Sequence, residues 1–183
     1  MAGAWLPGAE YVRSPHDGGG QAGGAPRVVW HTTESDPKET PALLAARHLD
    51  HTGYTPHLVW NPLTGEVVQL LPATRAARGL RGPADELTPN REGRVCLQIE
   101  VIGYSRYPFT TQPLRGLADI LRWLDAWQVP RRWPAGPPPA EPICRDTPRD
   151  RAHWARGGHF GHSQVPGTAH FDPGALDVSK LVA

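Results

Sequence analysis

Two cysteines in 183 residues, Cys96 and Cys144, lack the paired spacing of a thiolate metal site. A disulfide between them is compatible with the sequence, but nothing in it requires one. Cys96 lies in an apolar run and reads as a small buried residue. The chain also has no apolar stretch near the roughly 20 residues needed to span a bilayer, so membrane insertion is not expected. Met1 to Arg13 lacks a charged start followed by an apolar segment, so it does not read as a secretory signal. A net charge of +1 leaves no electrostatic case for a nucleic-acid partner. Finally, no His-Glu-x-x-His segment occurs, which argues against a helix-borne metalloprotease.

What is abundant is loop-forming and metal-ligating. The chain holds 20 Gly, 21 Pro and nine His. With 39% hydrophobic and 20% charged residues, its length suits one domain with its own core and long surface connections. Residues 1–26 read as a loop-rich leader, and 27–183 as the folded domain. Arg27 to His31 reads as a buried strand, followed by a helix with Thr40 as N-cap, Pro41 in its first turn and a stop near Gly53. His57–Trp60 and Glu66–Leu71 flank the turn residues Asn61 to Gly65 as a hairpin, and Arg94–Ile102 is the candidate central strand. Between Pro113 and Gln128, leucines at spacings of three and four predict an amphipathic helix packed on the sheet. Residues 129–161 read as a long loop with at most a short helical turn. The expected fold is mixed α/β: a central mixed sheet flanked by helices, with a site in a cleft at the sheet's edge.

Four of the histidines, His16, His48, His51 and His153, read as ordinary polar surface residues. His31 differs because it ends an apolar strand, where a side chain points into a crevice. Gly161 to Gly174 carries His162, His170 and Asp172 among three glycines and two prolines. So stiff a loop can aim imidazole and carboxylate groups at one point without helical periodicity. His31, His162 and Asp172 would give zinc three ligands and one open position, but spacing alone fits a merely polar loop equally well.

Three segments in order, Val29-Trp-His-Thr-Thr33, Leu97-Gln-Ile-Glu-Val101 and Gly161-His162 through His170-Phe-Asp-Pro-Gly174, resemble one family. It is the type-2 N-acetylmuramoyl-L-alanine amidases, which include phage endolysins and peptidoglycan recognition proteins. The likeness is greatest to amidase domains of endolysins from phages of actinobacteria, and it spans roughly residues 27–177. The resemblance implies zinc at His31, His162 and Asp172, Glu100 as catalytic base and His170 beside the oxyanion. It also implies cleavage between N-acetylmuramic acid and L-alanine, with peptidoglycan or muropeptide as the partner and a monomeric enzyme. An endolysin made in the cytoplasm would reach the wall through a holin-type pore.

Other members of the family carry a catalytic Tyr where Pro56 or His57 stands here, and Tyr54, two residues away on the same strand face, is a weak substitute. The departure places more of the burden on Glu100. From the residues alone, Glu100 is either a site carboxylate or a structural one paired with an Arg. Arg78, Thr32 and His57 are candidate substrate contacts. Arg75 and Arg81 belong with Arg78, and a solvated surface explains this trio, and the cluster Arg145, Arg149 and Arg151, at least as well. Two other functions fit the same residues: a binding module that does not cut, and an amidase recycling soluble muropeptides.

Overall fold

The computed structural model describes residues 2–81, 88–140 and 150–183. Cys144, Arg145 and Arg149 lie outside the described residues. Among the described residues six strands make one sheet: β1 (Glu10–Tyr11), β2 (Arg27–Thr32), β3 (Leu58–Trp60), β4 (Val67–Gln69), β5 (Cys96–Val101) and β6 (Gly158–Gly161). Their spatial order is β1-β4-β3-β5-β2-β6. β2 runs parallel to β5 and β6, and β3 parallel to β5, while the β3–β4 hairpin is antiparallel. The domain is therefore mixed α/β, with β5 in the interior of the sheet. The helices are α1 (Ala42–His51), α2 (Thr88–Arg91), α3 (Leu117–Ala126), α4 (Arg151–Ala155) and α5 (Ser179–Val182). Among the described residues no helix is long and apolar enough to cross a membrane.

Alternation along the strands sorts the core into two faces. Val28, Trp30, Leu58, Trp60, Leu97 and Ile99 pack with Ile120, Leu121 and Leu124 of α3. On the other face Val59 and Val68 meet Ala42 and Ala46 of α1, and Val29 and Cys96 meet Phe160, Trp154 and Val165. Every residue of β2 and β5 is buried, as expected for parallel strands covered on both sides. The leader joins this body: β1 pairs with β4, Leu6 enters the core, and the Gly3 carbonyl accepts the indole N–H groups of Trp123 and Trp127.

Three local expectations change. Pro41, not Thr40, is the N-cap of α1, and it supplies no side-chain cap. Thr40 is held in the preceding turn, its N–H on the Asp36 carbonyl, and the Glu66 carboxylate approaches the Ala42 N–H at 3.5 Å, a favourable place for negative charge. The α3 helix starts at Leu117, not near Pro113, because Leu114 (φ 55°) leaves the helical region. There the chain clasps the hairpin instead, with the Arg115 carbonyl accepting from Trp60 Nε1 at 2.8 Å. Gly158–Gly161, expected as loop, is strand β6, with Gly158 to Gly161 registered on Arg27 to Trp30. It has no β-branched residue to signal a strand; its neighbour β2 and the Trp154–Phe160 contact hold it extended.

Candidate metal centre

The site lies at the carboxyl end of the central strands, on the sheet face away from α3. His31 and Glu100 are register partners on β2 and β5, so their side chains leave the sheet side by side. The chain then leaves β6 at Gly161, beside Trp30, which sets His162 next to His31, with ring centroids 4.5 Å apart. The Ser163 N–H bonds the Asp172 carbonyl at 2.8 Å and closes the loop that returns Asp172 to the same point. His31 Nδ1 is 3.4 Å from Asp172 Oδ2, and His162 Nδ1 is 3.2 Å from Asp172 Oδ1. His31, His162, Asp172 and Glu100 are 2%, 2%, 4% and 8% exposed, so these are buried polar groups.

Burial without partners is costly. His31 Nε2 and both ring nitrogens of His162 find no aligned hydrogen-bond partner, the short His162–Asp172 separation being a close approach and not a directed bond. Burial lowers His162 to about 4, which leaves the imidazole neutral, the form that ligates metal. Burial also acts downward on His31, but the Glu100 and Asp172 carboxylates outweigh it and raise that histidine. Asp172 is itself desolvated, yet the surrounding histidines hold it well below the usual carboxylate range. A place that draws positive charge onto His31 also draws a cation. Burial pushes Glu100 up to about 7; His31 opposes the rise and Asp172 adds to it.

The donor set fits zinc. One ligand atom from each of His31, His162 and Asp172 lies within 4.8 Å of the others. The two histidines approach different oxygens of the one carboxylate, His31 Nδ1 facing Oδ2 and His162 Nδ1 facing Oδ1. Two imidazoles and one carboxylate are also the ligand types zinc takes at catalytic centres.

Around the trio is a cleft of about 240 Å³ whose walls include Thr32, Glu34, Tyr54, Gly79, His170 and Phe171. The Thr32 N–H approaches Asp172 Oδ2 at 3.4 Å. His170 stands on the rim, half-exposed, stacked on His162 with centroids 4.1 Å apart, its Nδ1 2.9 Å from Asp172 Oδ1. Tyr54 lies under the Arg81 guanidinium, 4.2 Å from ring centroid to Cζ. Arg75 is paired instead with Asp17, and Arg78 is half-buried and does not line the cleft. His57 does not reach the cleft either. It is fully buried, its Nδ1 accepting the Gln98 N–H at 3.0 Å, which leaves Nε2 to donate to the Arg75 carbonyl at 2.8 Å.

Sequence reasoning overlooked three residues here. Glu34 lines the cleft and accepts from Thr32 Oγ1, Ser105 N and Ser105 Oγ. Gln98 sits behind His31, its Oε1 accepting the Gly79 N–H at 3.0 Å and its Nε2 donating to Asn90 at 2.7 Å. A Cβ at Gly79 would stand 2.5 Å from Gln98 Oε1, so a side chain there would displace the Gln98 amide. The available signal was the strand period: Gln98 and Glu100 share a face, so a second buried polar residue beside the site was readable.

No family model matches the chain, and no curated protein matches it. Solved structures do. The Staphylococcus aureus hydrolase AmiA, solved with its ligand, superposes with a TM-score of 0.54 at 12% identity, over 92% of this chain and 74% of its own. AmpD, as its selenomethionine derivative, gives 0.53 at 17% identity, over 97% and 94%. LysCS of Clostridium intestinale, an endolysin N-acetylmuramoyl-L-alanine amidase, gives 0.53 at 15% identity, over 98% and 95%. The chain therefore shares its fold with these proteins over nearly its whole length.

Proposed function

We propose that the chain is a zinc-dependent N-acetylmuramoyl-L-alanine amidase that cuts peptidoglycan. The observation that carries this reading is the buried convergence of His31, His162 and Asp172 beside Glu100. The amidases that share the fold support it, and residues 27–183 contain the whole constellation.

Hydrolysis of an amide needs a nucleophile stronger than neutral water, stabilisation of the carbonyl oxygen and a proton for the departing amine. Zinc held by the three ligands would supply Lewis acidity, acidifying a water and polarising the carbonyl. Glu100, beside the ligand trio at the end of β5, takes the proton of the attacking water and returns it to the amine. His170, on the rim beside Asp172, donates to the oxygen as negative charge develops there. Thr32 steadies Asp172 through its backbone N–H, and Glu34 and Tyr54 form the walls within which the substrate is oriented.

In this reading the enzyme acts on the cell wall as an endolysin does, released through a holin-type pore. Purified wall incubated with the chain should release new amino termini and peptide-free muramic acid, and chelator or Glu100→Ala should abolish release. Tight wall binding without release would instead make the chain a binding module. Faster turnover of soluble muropeptides than of intact sacculi would make it a recycling enzyme.

A further inference from the structure

One wall of the cleft, beside His31, is not built by the sheet. Ala76 to Arg81 is neither helix nor strand, yet it is largely buried and brings Gly79 to the cleft. Backbone groups buried outside a ladder need other partners. Two carboxamides supply them. Gln98 Oε1 accepts the Gly79 N–H at 3.0 Å, and Asn90 Oδ1 accepts the Leu80 N–H at 2.9 Å. Asn90 Nδ2 donates back to the Leu80 carbonyl, so Asn90 meets both backbone polar groups of Leu80 as a neighbouring strand would. Gln98 Nε2 donates to Asn90 Oδ1 at 2.7 Å and ties the two amides together. The Gln98 backbone is held as well. Its carbonyl accepts the His57 N–H and its N–H donates to His57 Nδ1, both at 3.0 Å.

Gln98 and Asn90 are fully buried, where an aliphatic side chain would cost less in lost hydration. Cys96, two residues earlier on the same strand face, is apolar and packs with Leu80, Val29 and Phe160. The amide at position 98 adds direction, not burial. A Cβ built on Gly79 would stand 3.5 Å from His31 Cε1 as well as against Gln98 Oε1, so this wall lies along the edge of the imidazole. His31 Nε2 is buried and has no hydrogen-bond partner, whereas a metal-binding imidazole usually has its second nitrogen fixed by one. The tilt of this ring then rests on packing, with His162 at 4.5 Å between centroids and Gly79 beside Cε1.

Resting on the metal centre proposed above, we infer that Gln98 is a positioning residue for His31. Its amide, braced by Asn90, holds the Gly79 backbone against the imidazole edge and so sets the angle at which that ring meets the metal. Gln98 does not itself line the cleft; it acts through Gly79. Without the brace, Gly79 and Leu80 lose their side-chain partners, and the ring is free to swing away from the point it shares with His162 and Asp172.

The test is the zinc affinity of the full-length chain, measured by chelator competition, with the absorption bands of the cobalt(II)-loaded protein reporting ligand geometry. Gln98→Met keeps an unbranched side chain of similar length but cannot donate to Asn90. It is expected to weaken zinc binding roughly ten- to hundredfold and to shift the cobalt bands. Asn90→Leu removes the brace and leaves Gln98 in place, so it should act in the same direction, and it carries the test if Gln98→Met does not fold. Leu97→Ala, on the opposite face of β5, separates position from stability: it should lower the urea midpoint and leave zinc affinity and the cobalt bands as in the wild type. Unchanged zinc affinity or unshifted bands in Gln98→Met and Asn90→Leu overturn the proposal, as does an equal loss of affinity in Leu97→Ala. A wild-type chain that binds no zinc removes the metal centre and this role with it; zinc bound by the wild type and held as tightly by Gln98→Met removes the positioning role alone.

Discussion

His31 and Glu100 face each other across the β2–β5 ladder, with Nδ1 and Oε1 3.8 Å apart. Parallel strands keep a spacing of about 4.8 Å, so the sheet fixes how far the proposed base stands from the first metal ligand. His162 and Asp172 reach the same point from a loop closed by the Ser163–Asp172 backbone bond. The centre is half scaffold and half loop, and its two halves should respond differently to change.

Replacing Glu100 with Gln keeps the shape but removes the proton acceptor. Turnover on wall or muropeptide should fall about 10²- to 10⁴-fold while zinc content stays at the wild-type level. Tyr54→Phe should cost less than about tenfold, since the ring and its Arg81 contact survive. Equal losses in the two variants would move the proton-transfer role to Tyr54.

Gly174→Ala should damage the loop half. Gly174 has φ 72°, and a Cβ there would stand 1.9 Å from the Ser105 carbonyl oxygen. The turn carrying Ser105 would have to shift away from the segment that follows Asp172. A loss of about 2–4 kcal/mol is expected in urea unfolding, together with weaker zinc retention. A midpoint within error of wild type would mean that the two segments are not packed as described.

Acid should destabilise the fold through histidines remote from the metal. Burial lowers His57 and His159 from 6.5 to about 4. Between those values the unfolded chain binds protons that the folded chain does not, so stability is complete above about pH 6.5 and falls as pH drops towards 4. For fully buried His57 the loss is on the order of 3 kcal/mol. Chelator-treated protein, unfolded by urea across this range, should show the slope, and His57→Gln should reduce it by the share of His57, with His159 and His162 keeping the rest. A slope unchanged in that variant would remove His57 as a contributor.

Much of the sheet was legible because its strands write their burial into sequence: Arg27 to His31, the hairpin and Arg94 to Ile102 are apolar runs bounded by turn residues. Strand β6 was not, since Gly-His-Phe-Gly becomes extended only beside β2. The cleft's membership was legible at Tyr54, Thr32 and His170, which line it. His57 shows the limit. Sequence placed it at the hairpin start, but only the fold reveals that both its nitrogens are spent on backbone groups. Glu34 was illegible for the opposite reason: its role depends on Ser105, a residue 71 positions away.

The central claim is tested most directly by the zinc content of the purified chain and of His31→Ala, His162→Ala and Asp172→Ala. About one zinc per wild-type chain is expected, consistent with one site of three converging ligands, and loss of it in each variant. Stoichiometric zinc retained in all three variants would contradict it.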